Sequence, residues 1–314
     1  MARINLLRLM IAALLACTGL SAASQVQQIE LWESPLYSDH PLVGRIWSSA
    51  EAEFVELAEL GNAIEGASYL LLGEKHDNPD HHALQLATLE RFIDLRKISA
   101  VAFEMMDSDV QNRLNSIQQQ GLTTLDDLKT YLDWDEEGWD WNFYGPLIMM
   151  VYRAGIPLAA ANITDATVGR VYGEATSPEI ARILDEVTMA QLNVDIDESH
   201  CGLLPESQFP AMVRVQQTRD FTMAGSMPNP QAGMLTVLIA GNYHVRQDLG
   251  VPNYLLAKDV QLESDRILAL SFMEVEPGEV DPQAYLQKFK SQPAFDYIWF
   301  TPAISNEDYC ASLR

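Results

Sequence analysis

Short apolar runs recur along this chain, and most of them stop at a glycine or a polar residue. Residues 68–72, 98–103, 156–161, 234–240, 267–275 and 295–300 have the length and composition of buried strands. Helical patterns fill the intervals. One is predicted over 49–60. Asn78 offers an N-cap and Pro79 a first helical position, opening a helix that runs to about Arg96. Along it Leu84, Leu86, Leu89, Phe92, Ile93 and Leu95 form a broad apolar face. Further helices are predicted over 178–187 and 209–224. This alternation predicts an α/β fold, a mostly parallel central sheet with helices on both faces in three layers.

One stretch breaks the alternation. Residues from about 105 to 155 read as a helical insertion over the strand ends, with Trp134, Trp139, Trp141, Phe143 and Tyr144 close together among acidic residues. Aromatics at that density beside a site mouth suit a lid or a pocket for a flat ligand, although each alone also suits an ordinary core.

The chain has 314 residues and a formal net charge of −24. The length allows a large core, and residues 25–314 read as a single α/β domain. A surface this acidic repels phosphate backbones, which excludes nucleic acid as a partner.

The first 24 residues differ in kind. Arg3 and Arg8 precede an apolar stretch, followed by small residues through Ala23. That is the layout of a signal peptide, too short to stay in a membrane as a spanning helix. Cys17, in Leu14-Leu15-Ala16-Cys17, suits lipid attachment, while Ala22-Ala23-Ser24 suits ordinary cleavage. Both remain open. The expected location is the periplasm or the outer membrane, with a lipid anchor at Cys17 in the first case. Cys201 and Cys310 stay in the mature chain, and their pairing is left open by the sequence.

Chemistry concentrates in a tetrad that occurs twice, about 170 residues apart: Gly73-Glu74-Lys75-His76 and Gly241-Asn242-Tyr243-His244. Each follows a predicted strand, so each histidine should sit just past a carboxyl end, where open α/β sheets collect ligands. Glu104 and Asn162 end two other strands. Glu74, His76, Glu104 and His244 together suit a divalent metal such as Mn, Co or Zn, and equally suit acid–base work. His82 and Gln85 should share one helix face, and only one of His81 and His82 can face the same site as His76. His200-Cys201 is a thiol beside an imidazole, with a catalytic cysteine disfavoured. Arg219 and Arg246 are candidate carboxylate binders; Gln217 and Asp220 favour plain structural roles.

These residues, as a spaced set, resemble a known family. Residues 72–85, His200-Cys201-Gly202-Leu203-Leu204-Pro205, Gln217-Thr218-Arg219-Asp220 and residues 239–252 are similar to the motifs of the ChaN-like haem-binding lipoproteins, across about 68–257. The resemblance implies an exported α/β protein that binds haem for iron acquisition, alone or with an outer-membrane haem receptor. It also implies a homodimer on haem binding, with two haems stacked between subunits, a tyrosinate on the iron and a histidine contributed by the partner. Tyr144 is the first choice for that tyrosine, followed by Tyr172 and Tyr243. His76, His82, His200 and Arg246 complete the candidate haem contacts. Tyr243 departs from the family, where a small residue is more usual. The family is related to the Tiki and erythromycin-esterase-like group, which implies an alternative: a metal-dependent hydrolase using Glu74, His76, Glu104 and His244.

Overall fold

The computed structural model describes residues 32–286, 293–308, 310 and 311. The expected signal segment and Cys17 lie outside the described residues. The chain opens with a hairpin, β1 (Ile46–Ser48) and β2 (Glu53–Val55), and continues into α1 (Leu57–Gly66), β3 (Tyr69–Glu74), α2 (Pro79–Asp94) and β4 (Ile98–Asp107). The insertion supplies α3 (Gln111–Ser116), α4 (Leu125–Leu132) and α5 (Trp141–Arg153), and β5 (Leu158–Asn162) follows. Then come α6 (Asp165–Gly173), α7 (Pro178–Ala181), α8 (Glu186–Ser199), α9 (Phe209–Ser226) and β6 (Leu235–Gly241). The described chain closes with α10 (Val251–Lys258), β7 (Ile267–Glu274), α11 (Pro282–Leu286) and β8 (Tyr297–Thr301).

One sheet runs in the order β2-β1-β8-β7-β3-β6-β4-β5. All its pairings from β8 to β5 are parallel, and β1 runs antiparallel to both β2 and β8. Both faces are buried, and the strands show it residue by residue. Leu70, Leu72, Val237 and Ile239 enter one core with α1, α2, α4 and α5. Tyr69, Leu71, Leu238 and Ala240 enter the other with α8, α9 and α10. Successive side chains of a strand point to opposite faces, so a continuous apolar run serves both cores. The three-layer α/β arrangement expected from the sequence is the one found.

Two local expectations are corrected. The helix expected over 49–60 begins only at Leu57, and the preceding residues form the hairpin β1–β2, with Trp47 paired to Phe54. The helix expected over 178–187 is interrupted between α7 and α8, where Asp185 starts a new helix by accepting from the Thr188 amide. Elsewhere the caps read true: the Asn78 side chain accepts from the amides of Asp80 and His81.

Candidate functional site

β6 returns between β3 and β4, which makes the strands of the two tetrads neighbours and sets Glu74 beside Gly241. Their glycines are reciprocal. A Cβ on Gly73 would stand 2.4 Å from Asn242 Oδ1 and from Val245 Cγ2. A Cβ on Gly241 would stand 2.9 Å from His76 Nε2. Each tetrad therefore opens with the residue that leaves room for the other. Register slips on β4 after Phe103, and Glu104 turns to accept from the Gly241 amide at 2.7 Å.

Two carboxylate–imidazole assemblies result. In the first, Glu74 is buried and accepts from Tyr144 Oη at 2.6 Å, Gln85 Nε2 at 2.6 Å and His76 Nδ1 at 3.0 Å. His82 Nδ1 lies 3.2 Å from its other oxygen, while His82 Nε2 donates to the His76 carbonyl. Burial works to raise the Glu74 pKa, but the surrounding His82 and His76 overcome it and hold the carboxyl well below its usual range. Burial and the Glu74 charge together push the Tyr144 hydroxyl far up, so it stays a neutral donor. The insertion thus reaches the strand ends through Tyr144, and Trp139 stands edge-on to His76 with ring centroids 4.8 Å apart. The side chain of His76 is 40 % exposed, unlike Glu74 and His82 beneath it.

In the second assembly, His244 lies between two acids. Its Nε2 is 3.2 Å from Glu104, and its Nδ1 is hydrogen-bonded to Asp220, which Gln216 also reaches. Burial opposes the charge on His244, yet Glu104 and Asp220 raise its pKa to about 10. Burial likewise opposes charge on Glu104, and His244 lowers that carboxyl to about 2. Asp220 is displaced upward by its burial, against the pull of His244.

The four expected metal ligands do meet, but as pairs. Among the described residues, no group of three or more His, Cys, Asp and Glu side chains is arranged to hold a metal ion.

Other candidates are placed elsewhere. His81, fully buried, accepts from the Lys75 amide through Nδ1 and meets Thr301 through Nε2; burial and the neighbouring His82 lower its pKa to about 3. Of the adjacent pair only His82 turns to the site, as the helix geometry requires. Arg246 is 1 % exposed, makes two hydrogen bonds to Asp248 and one to Asp195, and lies over the ring of Tyr243. The expectation that it meets a ligand carboxylate is corrected: its donors are committed to tying α8 to the second tetrad. Tyr243 also donates to Asp195. Asp220, read from sequence as structural, is a direct partner of His244, and a lone acid on a helix gave no sign of that.

Tyr144, 1 % exposed, is sealed under α5 with its hydroxyl on Glu74, which leaves no face for a porphyrin. His82, 5 % exposed and stacked on Phe143, is closed off in the same way. Exposed apolar side chains lie elsewhere in the chain. Among the described residues, four of the eight exposed large hydrophobic side chains fall between 172 and 203: Tyr172, Val187, Val194 and Leu203. Tyr172 donates to Gln208, and Arg214 holds the carbonyls of Val171 and Tyr172. His200 hydrogen-bonds the Ile196 carbonyl through Nδ1, which leaves the lone pair on Nε2. Next to it Cys201 is joined to Cys310.

The sequence matches a family described as haem-binding uptake, Tiki superfamily, ChaN, over residues 60–255. No curated protein matches it. Among solved structures, that of cofacial heme binding to ChaN of Campylobacter jejuni is 24 % identical; the match covers 84 % of this chain and 98 % of that one, with a TM-score of 0.66. An erythromycin esterase mutant, EreC, in its open conformation is 12 % identical over 84 % of this chain and 99 % of its own, with a TM-score of 0.46. The first likeness establishes the shared fold.

Proposed function

Because the chain belongs to the ChaN family of haem-binding uptake proteins, in the Tiki superfamily, we propose that it binds ferric haem for haem or iron acquisition, outside the cytoplasm. Exposure carries the choice of site. Tyr172, at 37 % exposed, is open where Tyr144 is sealed, and it lies in the segment that also exposes Val187, Val194 and Leu203. A porphyrin needs an apolar bed and a donor to its iron, and this segment carries exposed apolar side chains and a phenol. Bound haem supplies a ferric iron, for which a phenolate is a hard anionic donor. Tyr172 would hold that iron, and His200, with its Nε2 lone pair, would offer a contact from a second copy of the chain.

A haem laid on an exposed helical surface keeps one face toward water, and a second subunit covers it; this is the basis of the proposed homodimer. The Cys201–Cys310 bridge supports an oxidising compartment, since such bonds persist in exported proteins. Periplasmic or outer-membrane location, anchoring through Cys17 and delivery by an outer-membrane receptor belong to the same proposal. Among the described residues no helix is long and apolar enough to cross a membrane.

Haemin titration of the mature protein, followed in the Soret region, tests the site. Tyr172→Phe is expected to weaken binding about tenfold or more and to remove the phenolate signature of the spectrum, a loss of order 1.4 kcal/mol. Tyr144→Phe is expected to leave both unchanged. The reverse pattern would return the iron to Tyr144.

A second reading has one observation in its favour: His76 is the half-exposed imidazole of an otherwise buried acid–base cluster, in van der Waals reach of the cleared Gly241. It makes the strand ends a hydrolytic site with His76 as the base and Glu74 orienting it. Ester turnover abolished by His76→Ala would support it, and turnover unaffected by that change would remove it.

A further inference from the structure

A cavity of about 570 Å³ opens between α7, α9 and α10, and it shares no residue with the strand-end cluster or the Tyr172 surface. Three helical faces build it. Phe221, Ala224 and Gly225 come from α9 at i, i+3 and i+4, the spacing that puts three side chains on one face. Tyr254 and Lys258 repeat the spacing on α10, and Ile183 closes the third side just past α7. Open space lies before Gly225, where a Cβ would meet nothing within 4 Å.

The walls are apolar, but the polar groups around them are not random. Arg182 and Lys258 both line the cavity, against a single acid, Glu179. In a chain of net charge −24, two cations outnumbering acids at one opening is a local reversal of sign. Arg182 has no ion-pair partner among the described residues. Lys258 donates two hydrogens to the carbonyls of Ala224 and Met227 and retains a third. Tyr254, 1 % exposed, lends its ring to the same wall, with its hydroxyl turned toward Gln217.

We propose that this cleft binds an aliphatic carboxylate, with the acyl chain lying along Phe221, Ala224 and Gly225 and the carboxylate held by Arg182 and Lys258. Apolar burial supplies most of the affinity, and the two cations select an acid over a neutral amphiphile. The cleft is separate from the haem surface, so its occupation neither requires nor blocks haem.

The probe is decanoate, titrated calorimetrically into the mature, disulfide-bonded protein, with decanol as its neutral counterpart. Saturable decanoate binding is expected, with decanol about tenfold weaker or worse. Arg182→Glu is expected to weaken decanoate about tenfold while leaving haemin titration and thermal stability as they were. Gly225→Leu, at an exposed helical position with open space before it, should fill the cleft and abolish decanoate binding without unfolding the chain. No saturable decanoate binding, or decanol binding as tightly as decanoate, overturns the proposal. Stoichiometric displacement of decanoate by haemin also overturns it and assigns the cleft to haem. Intact haemin binding in Gly225→Leu keeps a failure here distinct from a failure of the haem reading.

Discussion

Gly73 and Gly241 show why the repeated tetrad begins as it does. Each lacks a side chain where the partner tetrad must approach, so a methyl on either displaces the other. Gly241→Ala is expected to push the His76 ring out of its place beside Gly241 and destabilise the fold by about 1–3 kcal/mol, the usual cost of overfilling a packed site; a denaturation midpoint unchanged within error would refute that account. The acid–imidazole pair beneath gives the protein a pH signature. Glu104, lowered from 4.5 to about 2, contributes stability that is complete above about pH 4.5 and is lost as pH falls toward 2. His244, raised from 6.5 to about 10, contributes stability that is complete below about pH 6.5 and is lost as pH rises toward 10. The pair therefore stabilises most between these limits, and Glu104→Gln is expected to flatten that maximum in a melting-temperature series from pH 3 to 10. A variant profile parallel to the parent's would show that the pair does not couple. The sequence pointed to Glu74, His76, Glu104 and His244 because each stands at a strand end, where a polar residue serves no strand. It read Asp220 as structural and did not single out Gln216, since their reach to His244 depends on how α9 packs.

Elements brought these residues together, and some elements were easier to read than others. Runs such as Leu70–Leu72 and Val237–Ala240 are apolar at every position because both faces of the sheet are covered, and that pattern survives in sequence alone. The hairpin β1–β2 was hidden for a physical reason: Glu53, Phe54 and Val55 lie at an edge with little burial to impose alternation. Tyr144 was expected near the site mouth and is found there, but as a buried donor to Glu74 and not as an open ligand. The Cys201–Cys310 bridge closes 109 residues and ties the chain's end to the turn after α8, where Cys201 and Gly202 both adopt positive φ. Chain-entropy reasoning puts the value of such a closure at about 4–5 kcal/mol. Cys310→Ser is therefore expected to lower the urea midpoint markedly and to loosen haem binding if His200 contributes to it, because the bond holds the residue next to His200. Wild-type stability in the variant would mean that the reduced chain keeps the same order unaided.

At the scale of the whole molecule the net charge of −24 acts on everything that approaches. Haem carries two propionates, so the protein's field opposes its arrival, and two copies of the chain oppose each other more strongly still. Counter-ions relieve both effects: the screening length falls from about 30 Å at 0.01 M salt to about 8 Å at 0.15 M. If haem is shared between two subunits, assembly must bring the acidic surfaces together, and the apolar segment around Tyr172 must supply the attraction. Haem association should thus quicken several-fold as salt rises over that range, the opposite of an electrostatically steered pair. Dimerisation with haemin, followed by sedimentation velocity, should strengthen over the same range. A dimer that weakens with added salt would place ion pairs, not apolar contact, at the interface. A haem complex that stays monomeric at every ionic strength would leave Tyr172 without a facing subunit and confine the haem site to one chain.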